Sequence, residues 1–266
     1  MNVGVVGHVE WIDFVRVDHV PEAGEIVTAD ETWGEAAGGG AVAAVQLARL
    51  AGSATLFTAL GDDEFGRRSY EQLTSLGLRV EAAWHAQPQR RGFTYLDAAG
   101  ERTITLLGEK LRPRREEALP WDDLAGFDAV YFTGGDAGAV RAARAARVLA
   151  ATPRELPWLA EAAVELDALV GSSIDPAERY EAGDLDPPPR RVFWTEGRRG
   201  GWIEPEGERW DAPALPGPRA DTYGAGDTFA AYLTFALAEG RPPREAAESA
   251  ARGAAEAITR AGAHGR

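Results

Sequence analysis

Short apolar runs alternate with longer stretches of helical character along most of the chain. Residues 2–7 (NVGVVG) form an apolar run that ends in Gly7, and such runs are typical of central strands in a parallel sheet. Residues 41–51 (AVAAVQLARLA) are apolar on nearly every side and predict a buried helix that Gly52 ends. The remaining predicted elements are strands at 54–60, 78–83, 128–133, 168–171, 191–195 and 201–204 and helices at 64–76, 137–151, 156–166, 228–239 and 243–260. Strands that alternate with helices predict a doubly wound α/β sheet.

Part of the chain departs from this alternation and predicts a second, smaller sheet. Residues 91–107 have strand character on both sides of Ala98-Ala99-Gly100, a pattern that indicates an antiparallel hairpin. We expect this hairpin to pack beside or over the main body. The predicted fold is one α/β domain over residues 1–266, with a doubly wound, mostly parallel sheet flanked by helices and a small β-sheet lid formed by about residues 10–35 and 88–108.

The composition is that of a globular protein and restricts the functions open to it. Hydrophobic residues make up 45% and charged residues 26% of the 266 positions. There is no cysteine, which excludes disulfides, thiolate catalysis and cysteine-based zinc sites, and the four histidines lack the spacing of metal ligands. A net charge of −14 makes nucleic acid and anionic membranes unfavourable partners. No segment predicts a membrane-spanning helix or a signal peptide, so we expect a cytoplasmic protein.

Two common nucleotide-binding motifs are missing from the sequence. Lys110 is the only lysine, and it lies in Gly-Glu-Lys-Leu and not in the Gly-Lys-Ser/Thr of a P-loop. The turn after the first strand reads Gly4-Val-Val-Gly-His-Val and lacks the Gly-x-Gly-x-x-Gly of dinucleotide-binding enzymes. The sequence therefore excludes a P-loop NTPase and disfavours a dinucleotide-dependent oxidoreductase.

The strongest chemical signal is the segment Asp221-Thr-Tyr-Gly-Ala-Gly-Asp-Thr228, which leads directly into an apolar helix. Gly224, Ala225 and Gly226 have little side-chain bulk, so their backbone N–H groups can approach an anion where the helix dipole also favours one. A carboxylate next to this site is unfavourable for anion binding, so Asp227 needs a function of its own. It has one if it faces a hydroxyl group and accepts the proton of that group. The pattern therefore indicates phosphoryl transfer with Asp227 as the general base. An aspartate that only caps the helix is the structural alternative.

Asp221–Asp227 resembles the Asp-Thr-x-Gly-Ala-Gly-Asp signature of the ribokinase-like (PfkB) carbohydrate kinases. Four other segments are similar to motifs of that family and follow the same order. They are Pro21-Glu-Ala-Gly-Glu-Ile-Val27 at the entry to the lid, the turn Gly38-Gly39-Gly40, the loop Gly61-Asp-Asp-Glu-Phe-Gly66 and the nucleotide loop Thr195-Glu-Gly-Arg-Arg-Gly200. Five motifs in family order indicate a kinase.

The resemblance implies a role for each of these segments. It makes Asp227 the general base, ATP the phosphoryl donor and Mg²⁺ the ion that accompanies it. The other implied sites are an anion hole (Gly224, Ala225, Gly226), an acceptor surface (Gly38, Gly39, Gly40), a nucleotide site (Thr195, Gly197, Gly200) and a region that binds a monovalent cation such as K⁺ in some members (Asp221, Tyr223).

The acceptor site departs from the family pattern. Val42 and Ala43 stand where the family usually has a sugar-binding asparagine, and Ile12 stands near the position of its acceptor-binding aspartate. Two neighbouring carboxylates, Glu10 and Asp13, are candidates to replace that aspartate. Because alternate residues of a strand share a face, Glu10 lies on the side of Ile12 and Asp13 on the opposite side, so Glu10 is preferred.

The metal motif also differs from that of the family. Its Asn-x-x-Glu, which organises Mg²⁺ through water, is replaced by Ser172-Ser-Ile-Asp-Pro-Ala-Glu178. Asp175 or Glu178 could bind the metal, since Mg²⁺ accepts one or two carboxylates, but both could equally be acidic residues at a helix start. Asp136 follows a predicted strand, at the sheet edge where such folds bind ligands, and is a further candidate for an acceptor contact.

These observations predict an ATP-dependent small-molecule kinase that transfers the γ-phosphoryl group to a hydroxyl of a sugar or sugar-like acceptor. A catalytically impaired, ligand-binding or regulatory pseudokinase of the same fold is the alternative, because the asparagine and the metal motif are altered. The exposed edge of a small lid sheet can pair with a second copy. We therefore also expect a homodimer joined through the lids.

Overall fold

The structure is a computed structural model that describes residues 1–265. Its larger sheet has nine strands, of which seven pair in parallel and the last two of the chain add two antiparallel pairs at one edge. Side by side, the strands are β13 (Arg209–Trp210), β12 (Gly201–Glu204), β11 (Val192–Thr195), β10 (Ala168–Ser172), β9 (Val148–Ala151), β8 (Ala129–Phe132), β1 (Val3–Val6), β4 (Ala54–Gly61) and β5 (Leu78–His85). Every residue of the central strand β1 is buried, as its unbroken apolar run predicts.

The smaller sheet has four strands and is formed by segments far apart in the chain. They lie in the order β3 (Glu31–Ala37), β2 (Glu10–Arg16), β6 (Arg91–Leu96) and β7 (Arg102–Leu107). β6 and β7 form the antiparallel hairpin predicted around Gly100, while β2 pairs in parallel with β6 and antiparallel with β3. All six residues of β7 are exposed, and this strand is one free edge of the sheet.

Helices cover both faces of the larger sheet, which confirms the predicted doubly wound α/β fold. The helices are α1 (Gly39–Ala51), α2 (Glu64–Ser75), α3 (Ala137–Ala143), α4 (Leu156–Ala162), α5 (Ala225–Ala238) and α6 (Pro243–Ala257). One apolar core contains buried residues of α1, α5 and α6, and a second core contains those of α3 and α4. Within residues 1–265, no helix is long and apolar enough to cross a membrane.

Two helix predictions need correction in this framework. The helix predicted at 137–151 is wrong in its second half, because α3 ends at Ala143 and Val148–Ala151 form the buried strand β9 between β8 and β10. Alanine favours helices, but burial on both sides of a central strand overrides that preference. The helix predicted at 228–239 begins earlier, at Ala225, so Asp227 lies in the first turn of α5.

Candidate active site

The turn Gly38-Gly39-Gly40 allows three parts of the chain to meet at the start of α1. A Cβ atom on Gly39 would lie 2.8 Å from Thr133 Oγ1, after β8, and 2.9 Å from Asp227 Oδ1 in α5. Gly38 has a φ of +84° and sits against β2, because its Cβ would lie 3.1 Å from Glu10 Cγ. Side chains at these positions would push the neighbouring elements apart. The turn therefore brings Glu10 and Asp227 to the same site.

Asp227 stands beside backbone N–H groups at the start of α5. Gly224 caps this helix with a φ of +71°, and a Cβ there would lie 2.9 Å from Val42 Cγ1, so the turn requires glycine. Gly226 is exposed, and a Cβ on it would meet nothing within 4 Å. The first amides of a helix have no partner within the helix, and its dipole favours an anion at this end. The helix start can therefore receive a phosphoryl group next to the carboxylate.

The environment of Asp227 suits a general base. Burial, and after it the negative charge of Glu178, raise the pKa of this carboxyl to about 6. The positive charges of Arg154, Arg102 and Lys110 act in the opposite direction and lower the pKa. A carboxylate with a pKa in this range is mostly ionised at neutral pH, yet it can hold a proton in a transition state.

His8 links the glycine turn to the residue after β8 through its two ring nitrogens, a contact that was not predicted from the sequence. Its Nδ1 lies 3.1 Å from Thr133 O, and its Nε2 accepts a hydrogen bond from Gly39 N at 3.4 Å. Burial lowers the pKa of His8 well below its usual value, and the charge of Lys110 lowers it further. A neutral ring with its proton on Nδ1 satisfies both contacts. No local pattern could have revealed this role, because Thr133 is far away in the sequence.

Of the two candidate acceptor carboxylates, only Glu10 lies at the glycine turn. Glu10 is buried, and its Oε1 pairs with Arg90 Nη1 at 3.2 Å. Burial raises the pKa of Glu10, and the charge of Arg90 opposes that rise. Asp13 instead pairs with Arg91 Nη2 at 2.7 Å and accepts a hydrogen bond from Trp11 Nε1 at 3.1 Å.

A second group of charges, also missed from sequence, lies close to Glu10. Lys110 Nζ pairs with Glu155 Oε1 at 2.5 Å, and Arg112 Nε approaches the other oxygen at 3.3 Å. Glu155 is fully buried, and the charge of Lys110 lowers the pKa values of His8, Glu10 and Asp227. The charge of Lys110, the one lysine of the chain, therefore acts both on Glu10 and on Asp227. That it is the one lysine was the only feature of the sequence that set it apart.

The candidate metal ligands are already paired with an arginine. Glu178 Oε1 accepts a hydrogen bond from Arg154 Nε at 2.8 Å, and Asp175 Oδ2 contacts Arg154 Nη2. Asp175 Oδ1 also accepts a hydrogen bond from Ala177 N at 2.9 Å. In the part of the chain from 1 to 265, no group of three or more His, Asp or Glu residues is suited to a metal ion. As arranged, Asp175 and Glu178 do not fit a resident Mg²⁺ site.

Asp136 and Asp221 also have backbone partners. Asp136 caps α3 by accepting a hydrogen bond from Ala139 N at 2.7 Å, and Arg115 N donates to it as well. Asp221 accepts hydrogen bonds from Tyr223 N at 2.6 Å and from Gly262 N at 2.7 Å. An acceptor contact for Asp136 and a monovalent cation at Asp221 and Tyr223 stay predictions.

The predicted nucleotide loop follows β11 at the edge where the parallel strands end. Thr195 closes this strand and donates a hydrogen bond from Oγ1 to Gly171 O at 3.2 Å. A short 3₁₀ turn at Gly197–Arg199 then reverses the chain into β12, and Gly200 packs against the backbone of Trp210. Ligands of open α/β sheets bind at this edge. The loop thus lies on the same edge as α5 and the glycine turn.

Known proteins are similar to this chain over nearly its whole length. The pfkB family carbohydrate kinase model matches residues 2–154 and 158–265. The ribokinase of Bacillus subtilis is 25% identical over 285 aligned positions, which cover 99% of this chain and 95% of the relative. Solved structures of ribokinases from Thermotoga maritima and from Arabidopsis thaliana, the latter complexed with ribose and ATP, give TM-scores of 0.75 and 0.74. Each is 22% identical, and the alignments cover 99% and 98% of this chain and 94% and 93% of theirs.

The match to the family model extends over almost the whole chain, from the first strand of the larger sheet to the turn after α6. The family is one of phosphotransferases that use an alcohol group as acceptor. The chain therefore belongs to the pfkB family of carbohydrate kinases.

Proposed function

We propose that this protein transfers the γ-phosphoryl group of ATP to a hydroxyl group of a sugar or sugar-like acceptor. In this reaction Asp227 accepts the hydroxyl proton, and the amides around Gly224, Ala225 and Gly226 stabilise the charge of the transferring phosphoryl group. Mg²⁺ enters with ATP as part of the substrate. A cytoplasmic location, where ATP is available, belongs to the same proposal.

The observation that carries the proposal is the meeting of Asp227, the start of α5 and the glycine turn. Asp227 Oδ1 lies within 3 Å of the position that a Cβ on Gly39 would occupy. An acceptor that rests against Gly38, Gly39 and Gly40 would therefore present its hydroxyl to the carboxylate. Glu10, whose Cγ lies 3.1 Å from the position of a Cβ on Gly38, would bind another hydroxyl of the acceptor.

The nucleotide is proposed to lie between the loop after β11 and the start of α5. Thr195, Gly197 and Gly200 would line its path, and its phosphates would point at the anion hole. The Arabidopsis ribokinase complex with ribose and ATP supports this pair of substrates for a chain of the same fold. K⁺ at Asp221 and Tyr223 is a further part of the proposal, tested by comparing activity in potassium and in a large organic cation.

Replacing Asp227 with asparagine tests the proposal. We expect Asp227→Asn to fold as the wild type does and to lose about 10²–10⁴-fold in kcat, because the amide cannot accept the proton. ADP release coupled to a colour reaction, measured across a panel of sugars, gives the rate. Asp167→Asn, which changes an aspartate that pairs with Arg144 away from the site, is the matched control. Near-normal turnover by Asp227→Asn would refute the assignment of the base.

A catalytically impaired, ligand-binding pseudokinase is the second candidate. The observation that favours it is the pairing of Asp175 and Glu178 with Arg154, because a carboxylate already in an ion pair is a weaker candidate for a metal ligand. The same assay separates the two functions. Saturable sugar or ATP binding without ADP release for any acceptor would favour the pseudokinase, whereas turnover of one acceptor would exclude it.

A further inference from the structure

Arg154 pairs with both carboxylates that the sequence offered as metal ligands, Asp175 and Glu178. It follows β9 directly, in the 3₁₀ turn that precedes α4. Its Nε donates to Glu178 at 2.8 Å and its Nη2 contacts Asp175, so a guanidinium group lies between the two carboxylates. These two ion pairs use Nε and Nη2 and do not require the Nη1 amino group. The arginine can therefore keep both pairs and still bind a further anion.

The charge of Arg154 affects both Asp227 and Glu10. It lowers the pKa of Asp227, the proposed base, and that of Glu10, on the acceptor side. The side chain of Arg154 is 45% exposed, whereas that of Glu178 beneath it is 21% exposed. The side chain of Asp175 is 39% exposed, so the guanidinium is accessible to a ligand together with one of its two partners, while Glu178 is more buried.

A triphosphate next to Asp175, Glu178 and Asp227 would need a nearby positive charge to offset the repulsion. Asp175, Glu178 and Asp227 carry three negative charges, and a triphosphate adds more, so these carboxylates alone would repel it. A guanidinium group has a planar fork of N–H donors that matches the oxygens of a phosphoryl group. The arrangement therefore suits an arginine that binds the phosphoryl group and acids that hold the arginine.

We propose that Arg154 is a catalytic residue that contacts the γ-phosphoryl group, with Asp175 and Glu178 as positioning residues for its guanidinium. This inference rests on the proposed function. In the step, the acceptor oxygen forms a bond to the γ-phosphorus, and its proton passes to Asp227. The bond from the γ-phosphorus to the bridging oxygen breaks, and that oxygen leaves with the electron pair on ADP. Arg154 stabilises the charge on the phosphoryl oxygens during the transfer.

Two substitutions of Arg154 test the charge and the fork separately. Arg154→Gln removes the charge and should lower kcat by about 10²-fold with little change in the KM of the acceptor. Arg154→Lys keeps the charge without the fork and should recover only part of the rate. Calorimetry supplies a readout that needs no turnover: Arg154→Gln should weaken binding of a non-hydrolysable ATP analogue and leave ADP binding unchanged.

Arg190 provides the matched control, because it also pairs with two carboxylates, Glu165 and Asp167, away from the site. Arg190→Gln should change neither kcat nor the preference for the ATP analogue over ADP. Thermal unfolding of each variant checks that it is folded.

Removing the two acids together with the arginine separates catalysis from simple neutralisation. If Arg154 only neutralises them, the triple variant Arg154→Gln, Asp175→Asn, Glu178→Gln should regain wild-type kcat, and the inference would be overturned. An unchanged analogue preference in Arg154→Gln would overturn it as well. If the wild type turns over no acceptor, the proposed kinase function fails, while the binding comparison still decides whether Arg154 contacts the γ-phosphoryl group.

Discussion

Asp227 works as a base only when it is ionised, and its surroundings make that condition depend on pH near neutrality. Its pKa is raised to about 6, first by burial and then by the charge of Glu178. Below this pH the carboxyl holds a proton and cannot accept one from the acceptor. We therefore expect kcat/KM for the acceptor to rise from about pH 5 and to level off by about pH 7, with a midpoint near pH 6.

Glu178→Gln should move this midpoint to lower pH, because it removes a negative charge that raises the pKa of Asp227. A pH–rate profile with a neutral sugar, whose own charge is constant, measures the shift. Glu165→Gln is the control, since Glu165 pairs with Arg190 away from the site and should leave the midpoint unchanged. The same midpoint in Glu178→Gln as in the wild type would contradict the effect assigned to Glu178.

The role of a single residue could be predicted from sequence when the residues that determine it are its neighbours in the chain. Asp227 is such a case, because its glycines and its helix stand next to it in the chain. His8, Lys110 and Arg154 are not, because each owes its role to a partner in another element, such as Thr133, Glu155 or Glu178. Sequence alone gives no means of choosing such partners.

At the scale of elements, the contact between the glycine turn and α5 sets the geometry of the base. Gly39→Ala should lower kcat by about 10²-fold, because its methyl group would lie 2.9 Å from Asp227 Oδ1 and 2.8 Å from Thr133 Oγ1 and would displace the carboxylate. Steady-state kinetics with the best acceptor measures the loss. Gly39 has no positive φ, so the effect comes from this contact and not from backbone strain.

The control for this variant is Gly52→Ala at the other end of α1. Gly52 has a φ of +86°, and an added Cβ would meet nothing within 4 Å. Gly52→Ala should therefore lower the free energy of unfolding by about 1 kcal/mol and leave kcat unchanged. Equal losses of kcat in the two variants would contradict the role given to the contact with Asp227.

Elements with a clear period or a clear end were predictable, and those that depend on their neighbours were not. The buried helix α1 and the β6–β7 hairpin follow their patterns closely. The run 137–151 is rich in alanine and contains both α3 and β9. Only the pairing of β9 with β8 and β10 decides which part is strand, and that pairing is absent from the local sequence.

At the scale of the whole molecule, β7 offers a surface for a second copy. Its side chains Ile104, Leu106 and Leu107 are 39%, 44% and 49% exposed on a free sheet edge. We expect the wild type to be a homodimer joined through this edge, because paired edges bury apolar side chains and complete backbone hydrogen bonds. Light scattering at micromolar concentration measures the mass, and Leu106→Asp should give a monomer.

Ile174→Asp is the control for the dimer, because Ile174 is 62% exposed but lies in the loop after β10. It should leave the mass unchanged. A wild-type monomer under these conditions would remove the dimer proposal without affecting the kinase proposal, since the site described here is formed within one chain.

The net charge of the whole molecule does not predict the local charge at the site. The chain carries a net charge of −14, yet the charges of Arg90, Lys110, Arg112 and Arg154 act on His8 or Asp227, beside the proposed acceptor and phosphoryl positions. Charge counting predicts that nucleic acid and anionic membranes are unfavourable partners. It could not predict where cations gather, because that depends on how β9, the strands of the smaller sheet and the loops converge.

The pairing of Lys110 with buried Glu155 gives the protein a built-in reporter. Among all 266 positions there is one side-chain amine, and it lies next to the proposed acceptor pocket. Burial lowers the pKa of this amine and outweighs the opposing effect of Glu155, so a larger share of it is in the nucleophilic form than for an ordinary surface lysine. An amine-directed mass label, read on the peptide that contains Lys110 and not on the N-terminal amine, would therefore mark a single side chain, and a ligand that covers the proposed pocket should slow its attachment.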